Sequence, residues 1–101
     1  MNMQQMMAQA QKMQRELRKA MAALAEQDFV SNKGGLVKVT LKGDRTIQSI
    51  EIEKDAFDPD NKEMIEESIV LAINELNDQI TEAEEEINER ITGNRGGLGG
   101  F

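Results

Sequence analysis

Four basic side chains near the start of the chain have the residue types and the spacing to bind a row of phosphate groups. They are Lys12, Arg15, Arg18 and Lys19. On a helix that rises about 1.5 Å per residue they extend along roughly 10 Å, which is comparable to the distances between phosphates on DNA. Arg and Lys neutralise such phosphates with an affinity that decreases as the salt concentration rises. The same positions also form the solvated side of most two-helix packings, so the residues alone leave both interpretations open.

The acidic side chains are concentrated in the second half of the chain. Residues 55–92 contain thirteen Asp and Glu against two cations, whereas residues 1–27 carry a local charge of +2 and the whole chain −7. The run Glu82-Ala83-Glu84-Glu85-Glu86 would repel a phosphate and is typical of a solvated face, a DNA mimic or a docking surface for basic partners. The average charge argues against a polyanionic partner, but the segregated charge is compatible with one.

The sequence predicts no catalytic, metal or cofactor site. The chain contains no Cys and no His, which excludes disulfides, Cys- or His-ligated zinc and every nucleophile–His arrangement. Its carboxylates are expected to face solvent, where nothing raises their pKa for acid–base work. Lys33-Gly34-Gly35 lacks the downstream Gly-Lys-Ser/Thr of a phosphate-binding loop, and the glycines of residues 96–100 are predicted to follow a helix instead of opening one. We therefore predict no enzyme, no cofactor and no small-molecule substrate.

A heptad pattern predicts a long first helix that ends near Gln27. Apolar residues recur alternately three and four positions apart, which is the a/d pattern of a helical seam. The basic residues fall at b, c and f positions, opposite this seam. The seam consists of Met3, Met6, Ala10, Met13, Leu17, Ala20 and Leu24. We select Met6, Met13, Leu17 and Leu24 as candidates for helix or dimer packing.

A period of two then predicts a small antiparallel sheet of two to three strands. Phe29-Val30 is a candidate first strand, and a turn is expected over residues 31–35. In the next strand, residues 36–42, Val37, Val39 and Leu41 share one face. Gly43-Asp44 is predicted as a two-residue hairpin connection, and residues 46–53 return as the third strand.

One residue of that third strand breaks the alternation. Ile47 is out of phase with Ile50 and Ile52. This indicates either a bulge near Gln48-Ser49 or an exposed Ile at the start of the strand. The hairpin region also supplies a secondary set of cations, which either protect the sheet edge or extend a basic surface. These are Lys33, Lys38, Lys42 and Arg45.

The last large element is a second, longer helix. Asp60 with Glu63 resembles a capping box, and the apolar stripe that follows has a helical spacing up to Gly93. Leu76 and Ile80 are its candidates for dimer or helix packing. Beyond Ile80 the stripe narrows to one file, which indicates a helix that leaves the main body but still packs on another helix. We predict one domain, residues 1–93, and a flexible Gly-rich tail, residues 94–101.

The predicted helices are much longer than the predicted strands, so both helices must extend beyond the sheet. An apolar stripe that extends into water implies a partner subunit, and we expect a homodimer. Residues 1–13 lack a continuous apolar run, and no stretch approaches a membrane span. We therefore expect a cytoplasmic protein without a membrane partner.

Over its whole length the chain resembles the YbaB/EbfC family of nucleoid-associated proteins. The resemblance rests on the order and spacing of several segments: the Met- and Gln-rich residues 3–14, the glycine-led strand and turn 34–44, residues 50–52, residues 60–75 and the closing Gly-rich stretch with Phe101. It implies an α+β homodimer whose first and last helices project like the arms of tweezers. It also implies binding of duplex DNA in the nucleoid, with roles in nucleoid organisation and gene regulation.

Carried onto this chain, the resemblance assigns DNA contact to the first helix, with its four cations, and to Arg90 and Arg95 at the end of the second. The absence of a recognition-helix pattern favours contact with the phosphate backbone over base readout. Composition alone favours a different function, an acidic dimeric adaptor or chaperone that docks through the Glu-rich or the Met-rich helix. The two hypotheses differ in whether the protein binds DNA.

Overall fold

A computed structural model describes residues 2–93, and it confirms the predicted α+β architecture of helix, sheet and helix. The predicted tail, residues 94–101, lies outside the described residues. Two short 3-10 turns, Lys54–Ala56 and Pro59–Asn61, connect the sheet to the second helix. The main elements are α1 (Met3–Glu26), β1 (Asp28–Lys33), β2 (Val37–Lys42), β3 (Ile47–Ile52) and α2 (Lys62–Thr92).

The core lies between one face of the sheet and the first half of α2. The three strands are antiparallel in the order β1-β2-β3. Val37, Val39 and Leu41 of the central strand are at most 1% exposed, as their alternation predicts. Ala72, Leu76 and Ile80 of α2 are fully buried against them. Leu76 and Ile80 therefore pack α2 onto the sheet.

The first hairpin turn is shorter than predicted, and β1 is longer. Residues 31–33, predicted as part of the turn, belong to the strand. Gly34 and Gly35 have φ values of 60° and 72°, the left-handed conformation that both central residues of a type I′ turn require and that glycine adopts without steric cost. The N–H of Leu36 closes the turn by donating to the carbonyl of Lys33 at 2.9 Å.

The second hairpin turn is longer than predicted. Arg45 follows Gly43-Asp44 with a φ of 72°, and the N–H of Lys42 donates to the carbonyl of Thr46 at 2.9 Å. The loop therefore has three residues, and β3 is residues 47–52 instead of 46–53.

The predicted bulge in β3 is confirmed. Leu41 pairs with Ile47 and Thr40 with Ser49, which leaves Gln48 as the extra residue. Ile47, at the start of the strand, is also 49% exposed.

The start of α2 differs from the prediction, whereas its end agrees. Asp58 caps the preceding 3-10 turn by accepting from the N–H of Asp60 at 2.8 Å. The helix begins at Lys62 with Asn61 as its N-cap residue, and the Asn61 side chain accepts no capping hydrogen bond from the first turn of the helix. The Asp60–Glu63 capping box is therefore wrong, because Pro59 starts a 3-10 turn first. At the other end Gly93 adopts a φ of 79°, and its N–H donates to the carbonyl of Glu89 at 2.9 Å.

Both helices extend beyond the sheet, as predicted, and pack on each other there. The described chain measures 68 × 24 × 15 Å. Leu24, near the end of α1, is 6% exposed, and Ile87, near the end of α2, is 8% exposed. The two line one depression at the helix–helix contact. A narrow apolar file on each helix is therefore sufficient to join them into one projecting arm.

Candidate nucleic-acid interface

The four predicted phosphate-binding side chains lie on the solvent-exposed side of α1. Leu17 and Leu24 turn toward the interior on the other side, so the heptad pattern aims the cations outward. Lys12 pairs loosely with Glu16 one helical turn away, at 3.9 Å. Within residues 2–93, the salt bridges do not involve Arg15, Arg18 or Lys19. These guanidinium and ammonium groups keep their donors available for an anion.

The arm brings Arg90 of α2 close to these cations. Arg90 and Ile91 line one surface depression together with Glu16 and Lys19 of α1. We call the exposed side chains Lys12, Arg15, Arg18, Lys19 and Arg90 the basic arm face. Arg95, which the sequence also predicts to contact DNA, lies outside the described residues.

The antiparallel offset of the two helices keeps the acidic run away from most of this face. Ala83 and Glu86 lie beside Leu24 and Gln27 at the base of the arm, whereas Arg90 lies beside Lys19. Moving outward from the sheet, the Glu-rich run of α2 therefore ends before the cations of α1 begin, and Arg90 follows it. The outer part of the arm carries the positive charge and its base the negative charge, so the acidic run does not cover the basic arm face.

The secondary cations of the hairpin region each have a carboxylate partner. Lys33 bonds to Glu75 of α2. Lys38 lies 3.9 Å from Glu51 across the strand pair. Lys42 is 3.0 Å from Asp28, and its ammonium group also donates to the carbonyl of Glu26 at 3.2 Å. A phosphate would have to compete with these partners, so this set is the weaker candidate for DNA contact.

Arg45 is held by the most extensive of these contacts. Its guanidinium donates to the Thr81 hydroxyl at 2.6 Å and to both carboxylate oxygens of Glu84, at 3.2 and 3.4 Å. The fork geometry of Arg suits such a pairing. Sequence inspection missed this role, because it depends on the left-handed turn that aims Arg45 at α2. Arg45 ties the β2–β3 turn to the arm.

The neighbouring Asp44 stabilises the same turn. Hydrogen bonds from the side chain and the backbone N–H of Thr46 hold the pKa of the Asp44 carboxyl below its ordinary value of 3.8. The backbone N–H lies 2.9 Å from Oδ1. This carboxylate is a structural acceptor. Among residues 2–93, no group of three or more acidic side chains is placed to hold a metal ion.

The predicted packing residues differ widely in burial. Leu24 is buried against α2, Met13 and Leu17 are half-buried, and Met6 is 57% exposed. The seam of α1 is therefore covered near the sheet and open toward the N-terminus. No helix within residues 2–93 is both long and apolar enough to cross a membrane.

The fold and the charge distribution define a small α+β protein with a projecting two-helix arm that is basic toward its end. The chain belongs to the YbaB/EbfC DNA-binding family, whose sequence profile matches residues 1–95. It is 37% identical to a nucleoid-associated protein of Enterococcus faecalis, over 99% of this chain and 94% of that protein. It is 42% identical to a nucleoid-associated protein of Lactobacillus acidophilus, over 82% of this chain and 76% of that protein. A nucleoid-associated protein of Saccharopolyspora erythraea is 38% identical, over 99% of this chain and 90% of that protein.

Proposed function

We propose that this protein binds duplex DNA as a non-catalytic homodimer and contributes to nucleoid organisation and gene regulation in the cytoplasm. Membership of a DNA-binding family supports the choice of partner. The observation that carries the proposal is the exposure of Arg15, Arg18 and Lys19, which the salt bridges of residues 2–93 do not engage. Three cations exposed on one helix face are well suited to phosphates.

The contact is made to the DNA backbone, with little reading of bases. Arg and Lys along one helix face give affinity and position, whereas sequence is read by side chains that enter a groove. The chain has three Phe and no Trp or Tyr. Phe57 follows β3, and α1 contains no aromatic side chain to insert between bases.

An uncovered apolar surface supports the homodimer. Helix α2 packs on β1 and β2, and β3 lies to one side of it. Ile47 and Ile50 of β3 are 49% and 43% exposed, and Phe57 beyond it is 71% exposed. Phe57 also lines an apolar recess with Ile52 and Ile65. A second copy related by a two-fold axis would cover this surface and present two basic arms to one duplex.

The dimer is tested by changing this surface. Phe57→Glu together with Ile50→Asp should shift the protein to monomer in sedimentation equilibrium while the helical circular dichroism is retained. The matched control, Val30→Asp, alters an apolar residue of similar exposure (49%) on β1. A surface variant that remains as dimeric as the control would contradict this choice of interface.

DNA binding is tested by fluorescence anisotropy on random-sequence duplex at several salt concentrations. Wild-type affinity should fall linearly in a log–log plot, with a slope of about 0.9 per phosphate neutralised. Arg15→Gln with Arg18→Gln should weaken binding on every sequence and flatten this slope. The control, Lys54→Gln with Lys62→Gln, removes the same charge outside every candidate set. Equal losses of DNA affinity from the two variants would refute the assignment of the site to α1. If the wild-type protein does not bind DNA even at low salt, the acidic adaptor becomes the favoured function.

A further inference from the structure

The outer half of α1 carries an apolar stripe that the described chain leaves exposed. Met3, Met6 and Met7 are 75%, 57% and 57% exposed, and Ala10 is exposed as well. The end of α2 reaches only the level of Glu16, where Arg90 and Ile91 lie. The stripe is nevertheless part of a formed helix, because Asn2 and Gln5 make a reciprocal capping box at its start. Large methionine side chains on a preformed helix are suited to a second surface.

The spacing of this stripe is self-complementary. Met3, Met6, Ala10 and Met13 are separated by three, four and three residues, which reads the same in both directions. If two copies pair antiparallel about a two-fold axis, Met3 of one copy lies at Met13 of the other, and Met6 lies at Ala10. Each layer then joins an a position to a d position, and one patch contacts itself, as an isologous interface requires.

The charge distribution favours a second copy of the same segment as the partner, in the antiparallel orientation. Residues 3–11 contain no charged side chain, whereas the whole chain carries −7. Two such segments can approach without repulsion. Antiparallel overlap also keeps the acidic α2 helices of the two molecules at opposite ends, but parallel overlap would bring them together.

The size of the contact indicates when it forms. Four layers from Met3 to Met13 extend along about 15 Å of helix, too short for the interface of roughly 1,200 Å² or more that specific complexes usually bury. Such a contact is weak in free solution. It becomes effective when another interaction holds the molecules close together, because tethering raises the effective concentration.

From these observations we infer that residues 3–13 form a homotypic, antiparallel contact between protein molecules. Through it, molecules bound to neighbouring positions on one duplex assist each other's binding. The consequence for DNA rests on the function proposed above. The pairing itself does not, and it is measurable without DNA.

Cross-linking tests the pairing, because the natural chain has no Cys. Met6→Cys protein is mixed with Ala10→Cys protein that carries an affinity tag, and a short bis-maleimide is added at high protein concentration. The mixed product should exceed, by several-fold, that of Gln5→Cys with Gln11→Cys, an outward-facing pair with the same sum of positions. A yield equal to this control overturns the inference. Cross-linking of Met6→Cys mainly to itself would overturn the antiparallel arrangement.

Binding isotherms test the consequence. Met3→Gln with Met6→Gln should leave affinity unchanged on a short duplex that holds one dimer, and should weaken binding several-fold on a long duplex while making the isotherm less steep. Gln4→Ala with Gln11→Ala is the control on the outer side of α1. A variant that binds the long duplex as steeply as the control overturns cooperativity. If wild-type protein binds neither duplex, the proposed function fails, and the cross-linking result still decides the pairing.

Discussion

Gly43, in the β2–β3 turn, lies directly against the backbone of Leu24 in α1. A Cβ atom built on Gly43 would fall 1.8 Å from the carbonyl oxygen of Leu24 and 2.6 Å from its carbonyl carbon. The N–H of Gly43 also donates to the carbonyl of Gln27 at 2.9 Å. The contact holds the end of α1 against the sheet, and so sets the direction in which the arm leaves the body of the protein.

We therefore expect Gly43→Ala to be strongly destabilising. The added methyl group meets backbone that cannot rotate away, so the cost should reach or exceed the upper end of the about 1–3 kcal/mol that overpacking usually takes. Urea unfolding measures it. Gly34→Ala is the control: its Cβ has open space and meets only the penalty of a φ of 60°, about 1–2 kcal/mol. A Gly43 variant as stable as the Gly34 variant would refute the steric argument.

The periodic parts of the fold could be predicted from the sequence. The heptads gave α1 almost to the residue, the alternation of Val37, Val39 and Leu41 gave the buried face of β2, and the phase shift of Ile47 revealed the bulge. Both turns were misjudged, because their lengths depend on which residue takes a positive φ. Gly34-Gly35 and Arg45 adopt it in the folded backbone, and Arg45, a non-glycine residue, carries no sequence signal for it.

The candidate site was predictable only in part. A helix with a seam on one side must expose the b, c and f positions, so the placement of Arg15 and Arg18 follows from the pattern alone. The approach of Arg90 to Lys19 does not, since it depends on how far α2 extends past the sheet before it ends. The same offset places the Glu-rich run at the base of the arm. The number of charges in the sequence does not reveal this position.

The arm depends on a narrow contact between its helices, so single truncations there should have large effects. Leu24→Ala and Ile87→Ala each remove a side chain that is less than a tenth exposed, and each should lower the free energy of unfolding by about 2–5 kcal/mol. Met7→Ala, at an exposed position of α1, should be nearly neutral. Thermal unfolding followed by circular dichroism compares the three variants. A loss of stability from Met7→Ala as large as that from Leu24→Ala or Ile87→Ala would contradict this packing of the arm.

The turn that contacts α1 should make stability depend on pH in the acid range. Because Thr46 holds the pKa of Asp44 below 3.8, the unfolded chain takes up a proton at a higher pH than the folded chain. The stabilisation is therefore fully present above the ordinary pKa, and is lost as the pH falls through the lower folded value. Asp44→Asn lacks this proton uptake.

Urea unfolding at a series of pH values tests this expectation. The stability difference between wild type and Asp44→Asn should be constant at neutral pH and should shrink as the pH falls below about 4. Asp60→Asn is the control, at a carboxylate to which no described residue donates a hydrogen bond. If the difference between wild type and the Asp44 variant stays constant throughout, the hydrogen bonds from Thr46 do not lower this pKa.

Substitution of Arg45, in the β2–β3 turn, and of Arg90, in α2, should distinguish a contribution to stability from a contribution to DNA binding. Arg45 is engaged by Thr81 and Glu84, so Arg45→Gln should cost up to about 1 kcal/mol of stability and leave DNA affinity nearly unchanged. Arg90 lies beside Lys19 on the basic arm face, so Arg90→Gln should weaken DNA binding and lower its salt slope. Both substitutions remove one positive charge, so a general electrostatic effect would reduce affinity equally. Anisotropy and urea unfolding on both variants distinguish these cases, and a greater affinity loss from Arg45→Gln would move the interface from the arm to the hairpin.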